Sequence, residues 1–237
     1  MSFLAGKDTS VLFGAFDLSS FFNSSSFSRD QAVNETTTFG SDQATYISSL
    51  ETANVTLGGF FDGGADKVDE ELQAVIGSAT ATPLTIYKGG TTAGNKAMLL
   101  NSKIQNYTID SAVADAVGIN ASFTGDNFGN GVSLYALTNT SATANATAVD
   151  LGASSTLGGQ AHIHCTAHSS ANMVVKIQSS ADNTSFADVS GFSFTALTGT
   201  TSQRIATTNT VNRYVRIVTT VTSGSATFSV AYAHNLK

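Results

Sequence analysis

Four stretches of the chain alternate apolar and polar residues with a period of two. Val117, Ile119, Ala121 and Phe123 are interleaved with Gly118, Asn120 and Ser122. Val132, Leu134 and Ala136 form a second series just after Asn130-Gly131. Val215, Ile217, Thr219 and Val221 form a third, and Ala226, Phe228, Val230 and Tyr232 a fourth. Successive side chains of a strand point to opposite faces, so each series predicts a strand with one buried face. Shorter strand candidates are Val11–Phe13, Val55–Phe61, Leu84–Tyr87, Leu99–Tyr107, Ala161–Cys165 and Met173–Gln178. Turns are expected at Gly89-Gly90, Gly125–Gly131, Gly158-Gly159 and Ser223-Gly224.

One segment follows a different period. Val68, Leu72, Val75 and Ile76 recur at i, i+4, i+7 and i+8, which predicts a short helix over about 66–76. Asp66 is the expected N-cap, Asp69 and Glu70 suit the positive end of the helix dipole, and Gly77 suits a left-handed C′ position. Pro83 opens the next strand, where a missing donor is tolerated. Between the periodic segments, Phe21–Thr45 reads as a long polar loop carrying Phe27 and Phe39, and Thr138–Gly159 as a loop or two weak strands around Ala148–Leu151.

Composition sharpens the β reading. Of 237 residues, 32 are Thr and 30 Ser, there is one Pro, and 41% are hydrophobic. β-Branched Thr and Val suit a pleated surface, and the chain is too apolar to be disordered. The single cysteine excludes an internal disulfide and a four-cysteine zinc site. The net charge of −6 argues against tight nucleic-acid binding, which needs clustered Lys and Arg. Residues 1–130 hold 6 basic and 14 acidic groups, a net of −8; residues 131–237 hold 5 and 3, a net of +2. That shift places a domain boundary near Gly131, giving units 1–130 and 131–237. No apolar run approaches the roughly 20 residues of a membrane span, so no membrane partner is expected. The N-terminal residues carry no basic region followed by an apolar stretch, so synthesis in the cytoplasm is expected.

Candidate chemistry is sparse. On a strand, His162 and His164 share one face about 7 Å apart, a spacing that suits zinc or copper with help from His168 or Cys165. Cys165 points to the opposite face, however, and no acidic residue is near in sequence to orient the imidazoles. The competing expectation is a partly exposed strand whose histidines face solvent or a neighbour. Gly89–Lys96 departs from a phosphate-binding loop because Lys96 is one residue late and Ala97 replaces the required hydroxyl. Asp126–Gly131 lacks the bidentate Glu of a calcium loop. No nucleophile is assembled with a base, so neither an enzyme nor a cofactor is expected.

Several segments resemble a known family. Lys7–Gly14 with Asp17-Leu18-Ser19, Asn54–Asp62, Val68–Gly77 and Val117–Asp126 resemble the major tail tube proteins of long-tailed, siphovirus-type bacteriophages. Ala161–His164, Val175–Asn183 with Phe186-Ala187-Asp188, Ser202–Ala206, Arg213–Ile217 and Ala226–Val230 resemble the β-sandwich module often appended to them. The resemblance implies a mainly β chain: an antiparallel β-sandwich or barrel tube domain with one flanking helix, plus a C-terminal β-sandwich on the tube exterior. It implies a structural virion protein of the tail, six copies per ring, with rings stacked into a tube that conducts DNA. Implied partners are further copies of the chain and other tail proteins such as tape measure and tail terminator proteins. DNA would pass without specific binding, which suits an acidic chain. Phe3, Leu4, Phe27 and Phe39 are the candidate assembly residues. The rival function is a surface module recognising a cell-surface glycan or receptor; the absence of tryptophan, the usual sugar-stacking residue, counts against it.

Overall fold

The computed structural model describes residues 4–235 and, within them, every side chain except those of Ser170 and Ala171. In chain order the strands are β1 (Ser10–Phe13), β2 (Phe16–Asp17), β3 (Phe22–Glu35) and β4 (Tyr46–Phe60). A helix, α1 (Val68–Val75), precedes β5 (Thr82–Lys88), β6 (Lys96–Asp110), β7 (Gly118–Thr140), β8 (Ala144–Asn145) and β9 (Val149–Asp150). The chain ends with β10 (Gly159–Ser180), β11 (Ala187–Ser193), β12 (Thr201–Thr207) and β13 (Tyr214–His234). The architecture is mainly β and antiparallel, with one short helix.

All strands belong to one hydrogen-bonded network, whose main path runs β11-β10-β13-β7-β6-β5-β1-β2. The long strands change partners midway. Residues 118–125 of β7 pair with β4, and residues 132–140 of the same strand pair with β13. β10 pairs with β13 along nearly its whole length, with β12 beside residues 159–165 and β11 beside residues 176–179.

The alternation read in the sequence sets two cores. Val55, Leu57, Ile119, Ala121 and Phe123 build the first with Val11, Phe13, Leu84 and Ile86, and α1 closes it with Val68 and Leu72. Ala161, Ile163, Cys165, Val175, Ile177, Val215, Ile217, Phe228 and Val230 build the second. A third, smaller cluster lies between them, where Leu12, Tyr87 and Leu99 meet Ala231 and Ala233. Strands at this junction are therefore buried on both faces, one toward a core and one toward the other lobe.

Four expectations are corrected. Phe21–Thr45 is a loop only at residues 36–45: β3 and β4 form a hairpin that pairs from Phe22↔Gly59 to Glu35↔Tyr46 on either side of it. Gly125–Gly131 does not reverse the chain: β7 continues through it with a bulge, where Asn127 takes a φ of 53° and the register with β6 shifts. Gly131 answers a packing demand: a Cβ there would lie 1.9 Å from the carbonyl oxygen of Tyr232 on β13. Ser223-Gly224 likewise lies within β13, where the facing β10 shifts register. At α1 the N-cap is Lys67 rather than Asp66, which adopts a left-handed φ of 57°. The Asp66 amide, just before the cap, donates to Glu70 Oε2 at 2.8 Å. Gly77, at φ 80°, follows the helix as expected.

Candidate functional site

The histidine pair lies at the junction of the lobes and is wholly buried, not partly exposed as the strand pattern suggested. Ala161, Ile163 and Cys165 fill the second core, so His162 and His164 point the other way, onto Thr85 of β5. The hydrogen bonds define one chain of donors. His164 Nδ1–H donates to the carbonyl oxygen of Gly14 at 2.8 Å, which leaves Nε2 to accept from the Thr85 hydroxyl at 2.8 Å. Thr85 Oγ1 in turn accepts from His162 Nδ1–H at 3.0 Å. Beside it, Tyr87 and Ser229 share a hydroxyl hydrogen bond of 3.0 Å across the same junction.

Burial holds both imidazoles neutral. It lowers His164 to about 4 and His162 well below its usual value, with repulsion from His164 and Arg204 adding to the latter. Both His164 nitrogens are engaged, and the pair offers one lone pair, at His162 Nε2, with no hydrogen-bond partner. A metal needs several convergent ligands, and Cys165 lies on the opposite face, its thiol pushed up by burial. The arrangement reads as a polar rivet between two lobes.

Asp66, Glu70 and Glu71 bring carboxylates within 4.8 Å of one another at the start of α1. Partial burial and the two neighbouring carboxylates raise Glu71, and the group is otherwise solvated.

The β3–β4 hairpin carries the longest unbroken run of exposed positions among the described residues. β7 leaves β4 at Ala53↔Gly125, so residues 30–52 continue as a two-stranded ribbon with no further strand beside them among the described residues. Every residue from Ser28 to Thr52 is exposed. Val33, Phe39, Tyr46, Ile47 and Leu50 are among them, and Leu50 is 81% exposed. The ribbon is fastened at its base. Phe27 stacks on Phe128 with ring centroids 4.5 Å apart, the Arg29 guanidinium lies 5.7 Å from the Phe128 centroid, and Arg29 pairs with Glu51. At the tip, Ser41 N–H donates to Thr38 O at 3.1 Å, and Gly40 takes a φ of 92°. This turn presents Phe39 fully to solvent, with Asp42 beside it.

The four assembly candidates thus fall in different places. Phe27 is half-buried on its own subunit and Phe39 stands at the ribbon tip. Leu4 is exposed at the rim of a groove of about 640 Å³ that also includes Val11, Phe22, Ser25 and Lys88. Phe3 lies outside the described residues. Sequence reading missed Val33, Ile47 and Leu50, because a hairpin extended beyond its sheet leaves both of its faces in solvent.

No protein-family model and no curated protein matches the chain. Solved structures to which the chain has some likeness include a chain from the virion of a native gene transfer agent particle. That likeness has 10% identity and a TM-score of 0.41, and covers 53% of this chain and 97% of the other. The SPP1 tail tube is similar at 10% identity and a TM-score of 0.43, over 53% of this chain and 77% of the other. The SPP1 Dit protein, a hub component of an adsorption apparatus, is similar at 14% identity and a TM-score of 0.39, over 96% and 99%.

Proposed function

We propose that the chain is a structural subunit of a phage tail tube: rings of six copies, stacked, with residues 1–130 as wall and residues 131–237 as an exterior lobe. The observation that carries this reading is the β3–β4 ribbon. A two-stranded ribbon alone in water is marginally stable, and an exposed apolar set on such a ribbon calls for a partner surface. Residues 30–50 carry Asp30, Glu35 and Asp42 and no Lys or Arg, so the ribbon is acidic as well as apolar. Its strands offer free edges, and edge pairing between copies joins subunits through backbone hydrogen bonds. Head-to-tail contacts close a ring when the rotation permits, while stacking stays open-ended.

The remaining features suit a conduit. Fourteen carboxylates against six basic groups in residues 1–130 leave few cations for phosphate contacts, so DNA would slide without being held. At about 0.15 M salt the screening length is about 8 Å, so repulsion acts near a wall and keeps DNA centred. The buried histidines take no part, and the reading requires neither an enzyme activity nor a cofactor. Tail terminator and tape measure proteins are the partners expected at the tube's end and in its lumen, and the virion tail is the expected location.

Electron microscopy of the purified protein at high concentration tests the proposal. Six-fold rings or tubes are expected. Monomers that bind glycans would instead favour a receptor-binding module.

A further inference from the structure

Lys88 ends β5 in the groove lined by Leu4, Val11, Phe22 and Ser25, and it has no ion-pair partner among the described residues. Its Nζ donates to Ser25 Oγ at 2.7 Å, and partial burial lowers its pKa. The groove mixes apolar and hydroxyl-bearing side chains with Lys7 at its edge and no carboxylate in its lining, so the half-buried ammonium is incompletely compensated, and a carboxylate is the group that would complete it. The ribbon tip carries the matching pair: Phe39 fully exposed on the turn and Asp42 three residues on, with no ion-pair partner among the described residues. The same chain cannot supply that tip. Phe22 and Ser25, at the groove, lie at the base of β3, and pairing along β3 and β4 holds the tip away from its own base. Ten residues of strand separate Ser25 from Glu35, a distance of about 30 Å.

We infer that the groove beside Lys88 is the receptor for the ribbon tip of a second copy of this chain, with Phe39 against Leu4 and Phe22 and Asp42 on Lys88. This rests on the tube reading above and names the contact that would join one subunit to the next. The ligand class is an aromatic residue followed closely by a carboxylate on a tight turn. Ser25 would then bridge to the ammonium from the side, keeping it directed into the groove.

The test is zero-length carbodiimide cross-linking of assemblies grown from mixed ¹⁴N- and ¹⁵N-labelled protein, read by mass spectrometry. A Lys88–Asp42 peptide of mixed isotope composition is the expected product. Assemblies in which Lys88 joins a different carboxylate, or none, would overturn the inference and leave the tube reading standing. Wild-type protein that never assembles would overturn both. Charge reversal gives a second readout. Asp42→Lys alters a fully solvated tip and leaves the fold intact, and it should raise the critical concentration for assembly about ten-fold or more. Lys88→Glu should do the same, and the double variant should recover most of the loss. A double variant no better than either single one would refute the pairing.

Discussion

The ribbon of β3 and β4 and the junction between the lobes stand at opposite ends of one physical scale. At the junction, buried polar groups are matched within the chain at every atom of the network but His162 Nε2: Thr85 joins His162 to His164, Gly14 receives the last proton, and Tyr87 meets Ser229. Along the ribbon, apolar groups stand in water with no partner in the chain: Val33, Phe39, Tyr46, Ile47 and Leu50. Buried polar groups stabilise a fold only when satisfied, and exposed apolar groups become favourable only when covered. One region is thus nearly complete within a single chain, and the other would be completed only in an assembly of the kind proposed. The difference teaches where to look for function: in the interactions a single chain leaves unmade.

The largest effect should come from removing the ribbon. Replacing residues 32–50 by Asn-Gly keeps Gln31 opposite Glu51 and closes the hairpin with a two-residue turn. Phe27, Phe128, Arg29 and Glu51 all remain. Sedimentation and electron microscopy should show no polymer at any accessible concentration, while the melting temperature stays within a few degrees of wild type. Polymers from this variant would remove the contrast between the two regions.

The junction should answer to pH instead. His164 is held at about 4 in the folded protein and is near 6.5 when unfolded, and His162 is lowered as well. A lowered histidine value means that the unfolded chain takes up protons first as pH falls. Stability is therefore complete above about pH 6.5 and is lost as pH falls toward 4. The His164 shift alone corresponds to about 3 kcal/mol. Arg204 and His164 face His162, and both oppose its protonation, which adds to the loss. Denaturant titrations at pH 7.5 and 4.5 should show the difference, and His164→Asn should flatten it. A pH-independent midpoint in the wild type would show that the histidines do not hold the lobes together.

How much of this was legible in the sequence depends on what each residue faces. Period-two alternation marked the strands whose one face meets a core, as at Ile119-Ala121-Phe123 and Phe228-Val230-Tyr232. It placed His162 and His164 on the face opposite Ile163, correctly, but it could not say what covers that face. Thr85 lies 77 residues away in sequence, and nothing in a Thr between Leu84 and Ile86 announces a partner for two imidazoles. The ribbon was hidden for the opposite reason. With no core to face, its strands carry no alternation, so the β3 segment Asp30–Glu35 read as loop. Glycine misled at Gly131, where the close passage of β13, rather than chain reversal, excludes a side chain.

The smallest expected effect separates two phenylalanines that the sequence treats alike. Phe27 is half-buried and stacked on Phe128, near the Arg29–Glu51 pair, whereas Phe39 touches solvent alone. Phe27→Ser should therefore cost about 1–2 kcal/mol of folding stability, by loss of the stacked pair and its buried area. Phe39→Ser should cost the isolated subunit nothing measurable, and a small gain is expected because an exposed aromatic ring is removed. In assembly the order should reverse. Phe39→Ser should raise the critical concentration at unchanged melting temperature, and Phe27→Ser should affect assembly only to the extent that it loosens the base of the ribbon. Paired thermal melts and turbidity curves measure both quantities on the same samples. Equal effects of the two substitutions on both would mean that the ribbon's base and tip are not the separate elements, one structural and one adhesive, that their surroundings indicate.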